Sequence, residues 1–202
     1  MPEIKGVDVS KWQGDIQWDK VKGAGIEFVM IRVGYSTNLD KNFYKNIDNA
    51  IKNGIKCGVY LYSYARTADE ARAEAQFVIN TIKPYKITYP VSYDIEDKTQ
   101  HDLTNEQRTD MVDAFCSTIE AAGYYATVYT SLYWFNTMFD MDRLKKYDKW
   151  VAQWGDKCTF NDKFGMWQYS SKGKIDGITG DVDLNISYVA YDTINVPANP
   201  QN

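Results

Sequence analysis

One histidine, His101, and three cysteines, Cys57, Cys116 and Cys158, are all that this chain of 202 residues offers as soft metal ligands. The cysteines lie far apart without a metal-type spacing, and one histidine in a polar stretch leaves no Ser-His-Asp triad to assemble, which argues against a zinc centre or a serine hydrolase. An odd number of scattered thiols fits free, buried cysteines made in a reducing cytosol. No run of ~18 apolar residues is available to span a bilayer, and the opening Met1-Pro-Glu-Ile-Lys5-Gly6 lacks the apolar core of a signal peptide. Synthesis in the cytoplasm without a leader is therefore expected, any work outside the cell depending on release by a holin or another route. A basic patch is also missing: 23 Lys and Arg stand against 27 Asp and Glu. That balance excludes nucleic acid as the expected partner, and no membrane partner is expected either.

Aromatic residues, by contrast, are plentiful, with 16 Tyr and 6 Trp. They favour flat carbohydrate faces, although most large rings simply fill cores. Strand-like and helix-like segments alternate. Ile4 to Val9, Ile26 to Val33, Cys57 to Tyr64 and Tyr89 to Glu96 read as strands. Trp18 to Ala24, Lys41 to Asn53, and the segments opened by the capping boxes Thr67-Ala-Asp-Glu70 and Thr104-Asn-Glu-Gln107 read as helices. After Tyr124 the elements shorten: strands at Tyr124 to Thr130, Lys149 to Trp154, Gly165 to Tyr169 and Ile178 to Asp183, with one broken helix over Tyr133 to Lys146. Repeated strand-helix units predict a parallel sheet. A complete eightfold barrel needs roughly 250 residues, so the expectation is a single α/β domain, a shortened (β/α) barrel over residues 1–190 whose last helices are short or missing. The Pro-rich tail, 191–202, reads as a linker.

The most informative triplet is Asp94-Ile95-Glu96, at the end of the apolar run Tyr89-Pro-Val-Ser-Tyr93. Residues two apart on a strand share a face, with Cα atoms ~6.6 Å apart, so two carboxylates occupy one small volume. The less solvated of them should keep its proton near neutral pH. A protonated acid beside an anion is the equipment of a glycosidase. In a barrel the chemistry collects at the C-terminal ends of the strands, where Asp8 and Asp183 are expected to join the pair, provided the last strand returns to the first. Asp8 and Asp183 have a bland alternative as turn caps, and clustered oxygens also suit Ca²⁺ or Mg²⁺; loss of activity in chelator would favour the metal.

Gly6-Val-Asp-Val-Ser-Lys-Trp-Gln-Gly14 with Ile16 and Trp18, then Phe28 to Gly34, Pro90 to Glu96, Trp150-Val-Ala-Gln-Trp154, Trp167-Gln-Tyr-Ser170 and Gly177-Ile-Thr-Gly-Asp-Val-Asp-Leu-Asn185 resemble, in order, segments of glycoside hydrolase family 25, the muramidases often called Chalaropsis-type lysozymes. Each match is weak, but the ordered set, from residue 6 to about residue 188, is specific. The resemblance implies a shortened, flattened β/α barrel that needs no cofactor and no metal. Its implied substrate is the β-1,4 bond between N-acetylmuramic acid and N-acetylglucosamine in bacterial peptidoglycan. Glu96 falls on the proton donor, Asp94 on the acid that orients or stabilises the reacting sugar, and Asp8 and Asp183 on two further cleft carboxylates. A monomeric catalytic domain is expected, with a wall-binding module beyond residue 202.

Beside these acids, Tyr62 and Tyr129 are expected in the sugar pocket, Trp154 as a stacking platform and Gln168 as a polar contact, while Tyr60 and Trp167 are expected in the core. The family often has Tyr-His-Phe where this chain has Tyr60-Leu-Tyr62, and Tyr where Trp154 stands. Carboxyl spacing alone does not choose between retention and inversion. Substrate assistance is favoured, with the sugar's own 2-acetamido group as nucleophile. Two rivals are weighed. A chitinase signature, Asp-x-x-Asp-x-Asp-x-Glu, is broken at Tyr89 and Ser92. A non-catalytic glycan-binding barrel gains nothing from a carboxylic acid beside an anion.

Overall fold

Strand β1 (Ile4–Val9) holds the architecture together, because it pairs on one side with β2 (Phe28–Tyr35) and on the other with the last strand among the described residues. The computed structural model describes residues 2–194. Helix α1 (Trp18–Gly23) precedes β2, the short β3 (Asn38–Leu39) hangs on its outer end, and α2 (Phe43–Lys52), β4 (Lys56–Tyr62), α3 (Ala68–Ile82), β5 (Val91–Asp94), α4 (Asn105–Ala121) and β6 (Ala126–Ser131) follow. Then come α5 (Leu132–Thr137), α6 (Met141–Leu144), β7 (Asp148–Ala152), β8 (Met166–Gly173) and β9 (Val182–Ser187). The order β1-β9-β8-β7-β6-β5-β4-β2 closes on itself through the β1–β2 pairing, giving an eight-stranded α/β barrel with β3 as an appendage. The expected loss of late helices is seen: α5 and α6 have 6 and 4 residues, and no helix lies between β7 and β9.

Both faces of the strands are buried, for different reasons. Val29, Ile31 and Val33 of β2 point outward, into the layer formed with Phe43, Ile47 and Ala50 of α2, and Val59, Leu61, Val91 and Tyr93 do the same beneath α3 and α4. That explains the near-continuous apolar runs. The inward set, Phe28, Met30, Tyr129, Trp150 and Met166, packs as a separate cluster inside the barrel. Gly6 makes room for it, since a Cβ there would lie 2.3 Å from the Phe28 ring. Phe28 stacks on Tyr89 with centroids 4.5 Å apart, and Tyr191 packs edge-on against Tyr89, so the lower end of the barrel is plugged by rings. Both capping boxes form: Thr67 accepts from the Glu70 amide and Thr104 from the Gln107 amide.

Two expectations are corrected here. The sheet is mixed, not parallel: β9 runs antiparallel to both β8 and β1. A parallel return needs a crossover of about a dozen residues, and only residues 174–181 separate β8 from β9. The strand expected over Ile178 to Asp183 therefore begins at Val182, and Asp183 stands at the start of the last strand instead of its end. Reversal brings it to the same mouth, opposite Asp8 in the register. Secondly, β5 ends at Asp94, so Glu96 sits two residues past it.

Tyr191 is buried and donates to Asp148 at 2.6 Å, within the stretch expected to be linker, while the rest of that stretch, residues 195–202, lies outside the described residues. Among the described residues no helix is long and apolar enough to cross a membrane. The three cysteines are free, Cys57 and Cys116 buried and Cys158 half-buried.

Candidate active site

The four acids singled out in the sequence line one cavity of about 330 Å³ at the upper end of the barrel, with Arg32, Tyr60, Trp150 and Ser171 in its wall beside Tyr62, Tyr129, Trp154 and Gln168. Asp94 arrives there by strand alternation. Glu96 arrives by the loop: the Ile95 amide donates to the Tyr129 carbonyl and its side chain is buried in the outer core, while Asp97 caps the turn Lys98–Gln100 through the Thr99 amide. Pinned on both sides, Glu96 continues the inward alternation that the strand has ceased to enforce. Tyr62 donates to Asp97 Oδ2 at 2.9 Å, so besides lining the cavity it tethers the loop that carries Glu96.

Asp8 is held by two amides, Gln168 Nε2 at 2.9 Å and Asn185 Nδ2 at 2.8 Å, both on Oδ2. The amide orientations follow from their other ends. Tyr129 Oη and Trp154 Nε1 both donate to Gln168 Oε1, at 3.0 and 3.1 Å, and Trp150 Nε1 donates to Asn185 Oδ1 at 2.7 Å. Indole N–H groups only donate, so each amide must turn its NH₂ toward Asp8. Gln168, expected as a contact for the sugar, lines the cavity and bonds within it to Tyr129, Trp154 and Asp8. Trp154 remains 65% exposed at the rim of the cavity. Trp167 keeps out of the cavity, donating to the Gln153 carbonyl and packing on Tyr169. Tyr60 does not follow the core expectation: it faces the cavity, edge-on to Trp150.

Electrostatics tie the acids together. Burial lifts Asp94 well above the ordinary carboxylate range, reinforced by Glu96 and Asp8 and opposed by the Arg32 guanidinium. Burial also raises Glu96, helped by Asp183 and Asp97. Asp8 is pushed up by burial and by the neighbouring Asp183 carboxylate, against the amides of Asn185 and Gln168, and burial leaves Asp183 raised on balance although Asp8 opposes it. Two carboxylates that close share a proton. The less solvated member of the 94/96 pair is Asp94, 3% exposed, while Glu96 is half-buried. Burial alone would therefore leave the proton on Asp94, contrary to the expected assignment, and Arg32 is the group that opposes it. Asp94 Oδ1 is buried with no hydrogen-bond partner among the described residues, an arrangement that is costly until a donor is supplied.

Sequence reasoning passed over Arg32 and its counter-ion. Nε and Nη2 of Arg32 reach Asp40 Oδ2 at 2.9 and 2.7 Å, and Asp40 is buried. The signal was present as a lone charge inside the apolar run Phe28 to Val33, where an ionised side chain persists only if paired. Asn185 carried no such signal, standing in the sequence only as the end of the segment from Gly177. Among the described residues no group of three or more His, Cys, Asp or Glu is arranged to hold a metal ion.

Comparison with known proteins gives a consistent answer. The model of the family "Glycosyl hydrolases family 25" matches residues 7–178, a stretch that includes Asp8, Asp94 and Glu96 and stops short of Asp183. Lysozyme M1 of Streptomyces globisporus is 32% identical over 197 positions, covering 90% of this chain and 67% of that protein. The crystal structure of the bacterial lysozyme from Streptomyces coelicolor superposes with a TM-score of 0.80 at 28% identity, covering 94% of each chain. The modular autolysin LytC of Streptococcus pneumoniae gives a TM-score of 0.83 at 29% identity over 92% of this chain. This chain spans only 47% of that autolysin's length.

Proposed function

The chain belongs to glycosyl hydrolase family 25, and on that premise we propose that Glu96 is the general acid and base, and Asp94 the stabilising anion, of a lysozyme that cuts the β-1,4 bond between N-acetylmuramic acid and N-acetylglucosamine. Lysozyme-type hydrolysis of peptidoglycan accords with the family and with the lysozymes among its relatives. The observation that carries the residue roles is the convergence of Asp94 and Glu96 on one open cavity beside an exposed tryptophan.

In this scheme Glu96 protonates the glycosidic oxygen as the 2-acetamido carbonyl attacks its own anomeric carbon. The acetamido N–H donates to the unpartnered Oδ1 of Asp94, whose negative charge offsets the positive charge of the cyclic intermediate. Arg32 and the incoming N–H both favour the anion on Asp94, so substrate binding selects the microstate with the proton on Glu96. Glu96 then takes a proton from water, which opens the intermediate. Asp183 helps keep the proton on Glu96 until it is needed, by disfavouring the Glu96 anion. Asp8, fixed by Gln168 and Asn185, holds Asp183 in place. A wall-binding module joined to this domain is in keeping with the modular architecture of the pneumococcal autolysin.

Two measurements test the scheme. Mass spectrometry of digested peptidoglycan should find N-acetylmuramic acid at the new reducing ends, and NMR of the fresh product should show the anomeric configuration retained; glucosamine ends or inversion would sink it. Asp183→Asn removes a negative charge that raises Glu96. The basic limb of the kcat profile should therefore shift to lower pH, because Glu96 would lose its proton earlier. An unmoved limb would show that Asp183 does not tune the acid.

A further inference from the structure

Next to the catalytic cavity lies a second one of about 270 Å³, lined by Lys11, Trp12, Arg32, Tyr35, Tyr62 and Tyr64. Arg32 and Tyr62 belong to both linings, so the two spaces adjoin. Their charge is opposite: the first is walled by four carboxylates, the second by two cations and no carboxylate. Within the second, Arg32 is already matched by Asp40. Lys11 is not. Its Nζ lies 4.9 Å from the Trp12 ring centroid and 5.5 Å from that of Tyr35, and it takes part in no ion pair among the described residues.

The local chain is built to keep it there. Lys11 opens a tight turn capped by Ser10, the Gln13 side chain closes that cap, and the Lys11 amide donates to Asp40 Oδ2 at 3.1 Å. Asp40 thus anchors Lys11 and Arg32 together. Trp12, 75% exposed, stands at the edge. An ammonium held between aromatic faces, beside a site that repels anions, is a receptor for one negative group on a ligand that enters both spaces. Muramic acid differs from glucosamine by a lactyl ether bearing a carboxyl group, either free or joined to a peptide with carboxylates of its own. We infer that the Lys11 cavity is a subsite for the carboxylate borne by the muramyl substituent and that it sets the preference for acidic over neutral glycans. The inference rests on the peptidoglycan reading above.

The test compares three glycan strands: peptide-bearing strands, strands stripped by an amidase so that the lactyl carboxylate is free, and stripped strands whose carboxylate has been converted to the carboxamide. Wild-type enzyme should show a KM about tenfold lower on a carboxylate strand than on the carboxamide, a gap that narrows with added salt. In Lys11→Met the gap should close, and Lys11→Arg should restore most of it. An effect seen on stripped strands assigns the lactyl carboxylate, and one confined to peptide-bearing strands assigns the peptide. Equal KM values for the wild type on charged and neutral strands overturn the inference without any variant, as does a Lys11→Met change that is the same on both. The reducing ends of the wild-type digest report separately on the activity: muramyl ends with no charge discrimination refute the subsite alone, and absence of muramyl ends refutes the reading beneath it.

Discussion

Glu96→Gln is expected to lower kcat on cell-wall glycan about 10³-fold, the middle of the range for loss of a positioned general acid. The amide keeps the size of the side chain and leaves the loop bonds of Ile95 and Asp97 untouched, so KM and the melting temperature should change little. Leaving-group protonation is the step removed. An aryl glycoside whose oxygen departs without a proton should therefore suffer a much smaller loss in its first step, measurable as a burst of released phenol. In the wild type, activity should fall as pH rises through the Glu96 pKa, which burial and Asp183 place above the ordinary value. Undiminished lysis by the amide variant, followed by turbidity and by chromatography of the products, would remove Glu96 from the chemistry.

Asp94→Asn should lower kcat about 10²- to 10³-fold, as for removal of one electrostatic partner of a developing charge, and for a different reason. No proton is transferred to or from this residue in the scheme, so an aryl leaving group should not rescue the variant. Stability should move the opposite way. Asp94 is a buried acid whose Oδ1 has no partner and whose ionised form is disfavoured by burial and by Glu96. A neutral amide relieves that cost, and the variant is expected to melt higher than the wild type, measured by calorimetry above the raised pKa. A lower melting temperature with full kcat would mark Asp94 as structural.

The pair was legible in the sequence because alternation and apolar runs are local. β1 matches its expected span of Ile4 to Val9, and the capping boxes at Thr67 and Thr104 form. What escaped was set by contacts between distant segments. The reversal of β9 depends on how little chain separates it from β8, and the strand continued past Asp94 only in expectation, since what fixes Glu96 is a ladder bond to Tyr129 and a cap at Asp97. The proton was harder still. Which acid of the pair is less solvated depends on how each is packed, and Arg32, the cation that opposes protonation of Asp94, entered only once its partner Asp40 was seen in space. Gln168 shows the same limit from another side: the two neighbouring donors that turn its amide toward Asp8 come from β6 and from Trp154, and neither contact was legible locally.

The antiparallel β9, seated between β8 and β1, also completes the site. Asp183 and the Asn185 that clasps Asp8 are delivered by this strand, so until it docks Asp94 and Glu96 stand in a barrel with an open seam. Without β9 the pair keeps its loop but lacks both the acid opposite Asp8 and the amide that orients it, so the mouth is finished only by the strand that closes the barrel.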